Sequence, residues 1–431
     1  MMNDGSGTRG LWEATAPPFQ TGSTLSRNIA VDVAIVGGGY TGCSAALHLA
    51  QQGAKVAVLE HMDIGHGGSG RNVGLVNAGM WVRPHAVKEA LGEAKGSALL
   101  TFLGQGPSVV FDLVRRFDIA CEAVEQGTLH CAVGAAGMRE IAERARQWQA
   151  LGAPVELIDA RRTAEMLGTQ AYRGALLDRR AGTIQPLAYA RGLARAAADA
   201  GAQIFTQTRI VNTARMANTW CLTTADGIEV RANAVIVATG AYGAHLDAAD
   251  TVAGELVRLP YFNMATQPLS AAQRAAILPG RQGAWDTRSV LSSFRLDDQG
   301  RLVFGSVGAL RSAGARVHHD WGRRALAKLF PQLAPVSFDY QWYGWIGMTS
   351  NALPRFYRLG PNMVSISGYN GRGIAPGTVF GKVLAELTLG HRSDEDLPLP
   401  LTDARRAVGR RIRSVGYEAG ASLSHFFGSR F

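Results

Sequence analysis

Gly37-Gly38-Gly39-Tyr40-Thr41-Gly42 stands between a short valine-rich run, AVDVAIV (residues 30–36), and a stretch with helical spacing. Glycines at 37, 39 and 42 form a G-x-G-x-x-G whose chemistry is the binding of phosphates. The first permits a tight turn, the second lets the backbone approach a pyrophosphate, and the third lets helix pack closely on strand. The helix that starts at Tyr40 and Thr41 would offer free N–H groups and a positive dipole end to an anion. Glu60 closes the next apolar run, KVAVLE, roughly 20 residues further on, where a carboxylate accepts from ribose hydroxyls. Turn, helix and acid together predict a dinucleotide site. They do not separate nicotinamide from flavin.

A second glycine block follows at once, Gly65-His66-Gly67-Gly68-Ser69-Gly70-Arg71-Asn72-Val73-Gly74. Further along come Thr208-Arg209-Ile210, Val237-Ala238-Thr239-Gly240 and Gly368-Tyr369-Asn370-Gly371-Arg372-Gly373-Ile374. This set resembles the FAD-dependent amine and amino-acid oxidases related to D-amino-acid oxidase, glycine oxidase and sarcosine oxidase. The resemblance implies noncontiguous FAD contacts. Gly68, Ser69, Gly70, Arg71, Asn72 and Gly74 would run along pyrophosphate and flavin ring, with His66 either a flavin neighbour or a loop histidine. Ala238, Thr239 and Gly240 would lie beside FAD, and Ile210 near the adenine. Gly371, Arg372, Gly373 and Ile374 would sit beneath the pyrimidine, where a helix N-terminus stabilises the negative charge of reduced flavin. The match extends back to LWEAT near the N-terminus. GHGGSGRNVGLVNAGMW, DRRAGTIQP, WDTRSVLSS and GYNGRG are similar to the γ-glutamylputrescine oxidase group, and within it to bacterial L-pipecolate oxidases or dehydrogenases.

The resemblance implies oxidation of a C–N bond in a small amine or amino acid, by hydride transfer to flavin N5, giving an imine. Such a step needs orientation, desolvation and an amine lone pair more than a side-chain base, so no His/Asp catalytic pair is expected. Substrate contacts are expected from Tyr261, Ser292, Ser293, Tyr343 and Trp345, and a carboxylate partner from Arg258, Arg288 or Arg295. A cyclic secondary amino acid such as L-pipecolate is the favoured substrate. γ-Glutamylputrescine or an N-methylated amine is the alternative, and a catalytically silent flavin-binding protein the alternative of another class. Sarcosine oxidases of this family attach flavin through a cysteine shortly before the final glycine loop. Residues 341–354 contain none and the last cysteine is Cys221, so FAD is expected to be noncovalent. Those oxidases also use a lysine near N5 for oxygen, and no lysine occurs here between Lys95 and Lys328. Slow reaction with oxygen and delivery of electrons to a respiratory acceptor are therefore expected.

Composition bounds the alternatives. With 431 residues, 47% of them apolar and 18% charged, the chain has core enough for two or three domains. Its 52 glycines follow no G-X-Y period, which excludes collagen, and the apolar share excludes disorder. The net charge is +10 and only five basic residues are lysine. The arginines are scattered, which disfavours nucleic acid and allows at most a peripheral membrane contact. The four cysteines form no C-x-x-C pair. That argues against a metal centre and suits a reducing cytoplasm. The N-terminus has no apolar signal region. There is no second G-x-G-x-x-G for NADPH and no H-E-x-x-H, and Arg71 stands where G-x-S-x-G would need glycine.

Elements must hold these loops together. Residues 30–60 read as strand, glycine turn, helix, strand, a parallel βαβ unit, after an irregular lead-in over 1–29. Residues 85–150 read as mostly helical and 187–201 as a helix. Alternating segments such as SVLSSFRL and GRLVFGSVG suggest an antiparallel sheet over 255–345. The last clear helix is PGTVFGKVLAELTLG, after the strand MVSISG. The expected fold is α/β (α+β overall). A Rossmann-like FAD-binding domain (1–82, 183–248 and 346–431) is interwoven with a substrate domain (83–182 and 249–345) built on a mostly antiparallel sheet.

Overall fold

The computed structural model describes residues 10–20, 22–243, 252–335, 337–403 and 409–428. The expected domain boundary at 248/249 lies outside the described residues, as do the two chain ends. Valine-rich Ile29–Val36 forms the centre of a nine-stranded sheet, pairing in parallel with Val56–Leu59 on one side and Glu229–Val237 on the other. Gln203–Phe205 and Met363–Ser367 extend that parallel core outward. Both faces of the central strands are buried, so they read as continuous apolar runs. The helix Tyr40–Gln51 crosses between the first two strands, and Pro186–Asp199 and Ile374–Thr388 pack against it. The last of these packs closely because Gly377 and Gly381 leave no Cβ between it and Tyr40, Thr41 and Ser44.

An eight-stranded sheet stands beside the first. Its order runs from Phe338–Met348 through Val257–Pro268, Arg301–Val307, Ser292–Leu296, Gly283–Asp286, Thr128–Cys131 and Gly174–Asp178 to Val155–Asp159. All neighbours are antiparallel except Gly283–Asp286 with Thr128–Cys131. Alternation splits this sheet's side chains between two environments. One face, with Phe262, Phe294, Phe304 and Tyr343, packs on the helix Ser312–Leu329 around Trp321 and Leu326. The other faces the glycine loops.

Two differences from the sequence-based expectation stand out. The lead-in contains a short helix, Leu11–Thr15, whose Leu11 and Trp12 are buried against Trp342 and Val303. The chain also does not end its helices at residue 388: Arg410–Phe427 forms another, lying on Val257–Pro268 and Ser312–Leu329. Among the described residues, Glu93–Arg116 is long and apolar enough to cross a membrane, but half of that window is buried in the fold. It comprises two helices, Glu93–Gly104 and Gly106–Arg116, whose Leu99, Leu103, Val110 and Phe111 belong to the main core.

Candidate active site

The first glycine turn has the geometry its sequence dictates. Gly37 has φ +111°, and a Cβ there would lie 2.8 Å from the carbonyl oxygen of Ala238. A Cβ on Gly42 would overlap the Gly37 carbonyl, so only glycine lets helix and turn meet. Glu60 Oε2 accepts from the Gly38 N–H at 2.6 Å and Oε1 from the Met62 N–H at 2.8 Å. Burial pushes the Glu60 carboxyl up, against the pull of these two donors.

The second glycine loop folds back onto the first. Ser69 Oγ accepts from the Tyr40 N–H at 3.1 Å, at the N-terminus of the dinucleotide helix. A Cβ on Gly39 would come within 2.9 Å of the same hydroxyl. Asn72 Nδ2 donates to Tyr40 Oη and to the carbonyls of Gly68 and Ser69, while its Oδ1 accepts from the Gly74 N–H. Asn72 thus fixes the loop's shape. Buried Arg71 pins it from outside: Nε donates to the His66 carbonyl and Nη1 to the Tyr343 carbonyl. Gly70 and Gly74 are needed because a Cβ would strike the carbonyls of Gly65 and Ile184.

The remaining loops converge on the same place. The Ala238 N–H donates to the Val36 carbonyl at 2.8 Å, bringing Thr239 and Gly240 beside Gly37. The Thr208 N–H donates to the Glu60 carbonyl, and Ile210 begins the next strand close by. Tyr369 Oη meets Thr41 Oγ1 at 2.7 Å, tying the final glycine loop to the dinucleotide helix. Gly371 has φ +87°, and Gly373 is the N-cap that starts the helix at Ile374. Asn370 holds this loop to Thr349, accepting its N–H at 2.9 Å.

On the substrate side, strand alternation separates the expected contacts. Asn263 donates from Nδ2 to the Arg71 carbonyl, which fixes the loop-facing side of the sheet. Register then places Tyr261, Ser293, Trp285 and His130 on that side. Tyr261 Oη meets Ser293 Oγ at 2.6 Å, and His130 stacks on Trp285 with centroids 3.7 Å apart. Ser292, Tyr343 and Trp345 have the opposite parity, and the expectation of side-chain contact from them is corrected. Tyr343 lies in the core under the helices and Trp345 packs against it. Their main chain reaches the loops, the Tyr343 carbonyl accepting from Arg71 Nη1 and the Trp345 N–H donating to Tyr242 Oη at 2.8 Å. Arg288 is half exposed and pairs with buried Asp286 at 2.6 Å. With Ser292 it lines a cavity of about 790 Å³ on the helix-facing side, away from the glycine loops. Arg295 is fully buried but engaged with Ile184, Leu296 and Glu122, so it is a strut and not a free carboxylate partner.

Sequence reasoning missed Asn263, His130, Trp285 and Trp81. Arg372, expected as a loop residue, has its guanidinium between Trp81 and Trp285, at 4.9 and 4.8 Å from their ring centroids. Its Nη1 donates to the Ala78 carbonyl. Burial, with Arg144 next, pulls its pKa down to about 9, and burial holds His130 well below the usual imidazole range. Five buried polar atoms around these loops lack a hydrogen-bond partner among the described residues: Thr239 Oγ1, Arg372 Nε, His130 Nδ1, Trp285 Nε1 and Asn263 Oδ1. Buried polar groups are rarely left so. Their concentration here, beside a glycine turn whose Gly39 leaves room next to Ser69, fits a site built for a large polar cofactor and a small ligand.

Comparison with known proteins agrees. The family described as FAD-dependent oxidoreductase (DAO) matches residues 32–387. The chain is 33% identical to the γ-glutamylputrescine oxidoreductase of Escherichia coli K12 over 425 residues, covering 96% of this chain and 97% of that one. It is 29% identical to a glycine oxidase of Geobacillus kaustophilus over half of its length and 56% of the relative's. The solved structure of glycine oxidase from Geobacillus kaustophilus superposes with a TM-score of 0.70 at 21% identity, covering 88% of this chain and all of that one. L-Proline dehydrogenase from P. horikoshii superposes with a TM-score of 0.67 at 18% identity, covering 86% and 95%. These two likenesses are of fold.

Proposed function

Because the chain belongs to the DAO family of FAD-dependent oxidoreductases, we propose that it oxidises the C–N bond of a cyclic secondary amino acid, with L-pipecolate the favoured substrate. That it is an FAD-dependent oxidoreductase acting on amines or amino acids follows from the family. The observation that carries the finer reading is the chemistry of the loop-facing side of the second sheet. Trp285, Trp81 and Tyr261 offer apolar surface to a saturated ring, and buried Arg372, with an unpaired Nε, offers a positive charge to a carboxylate.

Bound FAD supplies the hydride acceptor. The protein's residues orient the substrate and keep water out. Burial raises the Tyr261 hydroxyl pKa and lowers that of His130, so both are neutral at physiological pH. Neutral Tyr261 and His130 favour the uncharged amine, whose lone pair must be free as the C=N bond forms. The carbon gives up hydride, the nitrogen loses its proton, and an imine leaves. The glycine-loop residues from Gly37 to Gly74, with Thr239 and the 371–374 turn, hold the cofactor. FAD is held noncovalently, since all four cysteines are buried and none lies in 341–354; acid precipitation then releases the flavin to the supernatant. Free thiols also support a cytoplasmic location.

A second reading, γ-glutamylputrescine, is favoured by the Escherichia coli relative. An anaerobic screen of flavin bleaching over amino acids and polyamines tests both. L-Pipecolate should bleach the flavin fastest. Faster bleaching by γ-glutamylputrescine would overturn the amino-acid reading and leave the family assignment intact.

A further inference from the structure

The helix Arg410–Phe427 is docked by its polar side. Ser414 Oγ accepts from the Arg258 N–H, and Glu418 pairs with Arg311 through two contacts at 2.9 and 2.5 Å. His425 stacks on Trp321 at 3.8 Å, meets Ser306 Oγ at 3.2 Å, and reaches His318 Nδ1 at 2.8 Å. Arg324 donates to the carbonyl of His425. Spaced 414, 418, 421 and 425, these residues form one inward stripe, and Ala421 is the only apolar member.

The outward stripe is the reverse. Ile412, Val415, Gly416, Ala419, Leu423, Phe426 and Phe427 fill an arc with no polar residue. Ile412 is 79% exposed, Val415 67%, Leu423 61% and Phe427 62%. Cβ atoms at Gly416 and Gly420 would meet nothing within 4 Å. A surface helix ordinarily turns its apolar stripe to the core. Here that stripe faces away from the protein while specific bonds hold the polar side down.

Charge indicates what covers it. In the sequence, arginines stand at 405, 406, 410, 411 and 413, and no acidic residue occurs between Asp403 and Glu418. Glu418 is spent on Arg311. The facing helix of a second copy would offer these arginines no carboxylate but Glu418. One helix face offers on the order of 500 Å², less than the ~800 Å² per partner of a stable interface. An anionic lipid surface satisfies both features: arginines at the headgroups, and leucine and phenylalanine at the acyl boundary. We infer that Arg410–Phe427 is a membrane-surface docking helix that lies in the interface of an anionic bilayer by its outward apolar stripe. The inference rests on no substrate assignment.

The full-length protein should be sedimented with phosphatidylcholine vesicles with and without phosphatidylglycerol, beside the double variant Leu423→Asp/Phe427→Asp. Flavin content and melting temperature report whether the variant is folded. Wild-type protein should pellet with anionic vesicles, stay in solution with neutral ones, and be released by salt. The double variant should keep its flavin and bind anionic vesicles on the order of tenfold or more weakly. No pelleting on anionic vesicles, or equal binding to neutral ones, would overturn the inference. So would light scattering that shows a dimer dissociated by the same substitutions, which would mean that a second copy covers the stripe.

Discussion

Asn263, on a central strand of the second sheet, donates its amide to the backbone carbonyl of Arg71 at 3.0 Å, and the indole of Trp342 donates to the same oxygen at 3.1 Å. One carbonyl of the second glycine loop is therefore held from two adjacent strands. Asn263→Ala removes a buried donor without filling its space. Thermal denaturation should show a loss of about 1–3 kcal/mol, and FAD should dissociate more readily from the variant. An unchanged melting temperature with unchanged FAD affinity would mean that Trp342 alone positions the loop.

Gly39→Val tests the cradle. A Cβ at 39 meets only the movable Ser69 hydroxyl, so the chain should fold, while the side chain fills the space that the cofactor's phosphates need. Affinity for FAD should fall by on the order of a hundredfold, read from the yellow colour remaining after gel filtration. Circular dichroism should stay native. Gly42→Val should instead reduce stability itself, because its Cβ overlaps the Gly37 carbonyl.

The buried pair His318 and His425 makes the terminal helix acid-sensitive. Burial lowers His318 to about 4, while burial, His318 and Arg324 lower His425 to about 3. In the unfolded chain both titrate near 6.5, so that state binds more protons over the intervening range. Stability should fall as pH drops below about 6.5 and level off below about 3, each pK unit being worth about 1.4 kcal/mol. Melting temperature against pH should show this slope, and His425→Gln should flatten it. An equal slope in the variant would place the acid sensitivity elsewhere.

Much of the first sheet was legible because its information is local. Gly37, Gly39, Gly42 and Glu60 lie within one βαβ unit, and each has a steric or polar reason to be that residue. The second sheet was legible as mostly antiparallel but not by face. Tyr261 and Ser293 differ from Ser292, Tyr343 and Trp345 only by strand parity, which depends on register with distant strands. Asn263 gave no local signal, since its partner is 192 residues away. The helix Arg410–Phe427 was missed for a physical reason as well: Gly416 and Gly420 weaken its propensity, and its apolar stripe points outward, so the pattern read as no core helix.

The absence of lysine between Lys95 and Lys328 leaves the second sheet's central strands without the compact, proton-yielding cation that favours oxygen reduction. Arg372 is the buried cation beside Trp285, and its charge is delocalised. Substrate-reduced enzyme mixed with air in a stopped-flow instrument should reoxidise more slowly than substrate reduces it, and a soluble electron carrier should restore turnover. Reoxidation by air as fast as reduction, with stoichiometric hydrogen peroxide, would make this an oxidase.

The central claim is that a C–H bond beside nitrogen is broken as the flavin is reduced. Anaerobic mixing of the holoenzyme with L-pipecolate, unlabelled or deuterated at the carbons bonded to nitrogen, measures this directly. One equivalent of substrate should bleach the flavin completely, several-fold more slowly when deuterated. Flavin that stays oxidised across amino acids and polyamines, or bleaches at a rate indifferent to deuterium, would contradict it.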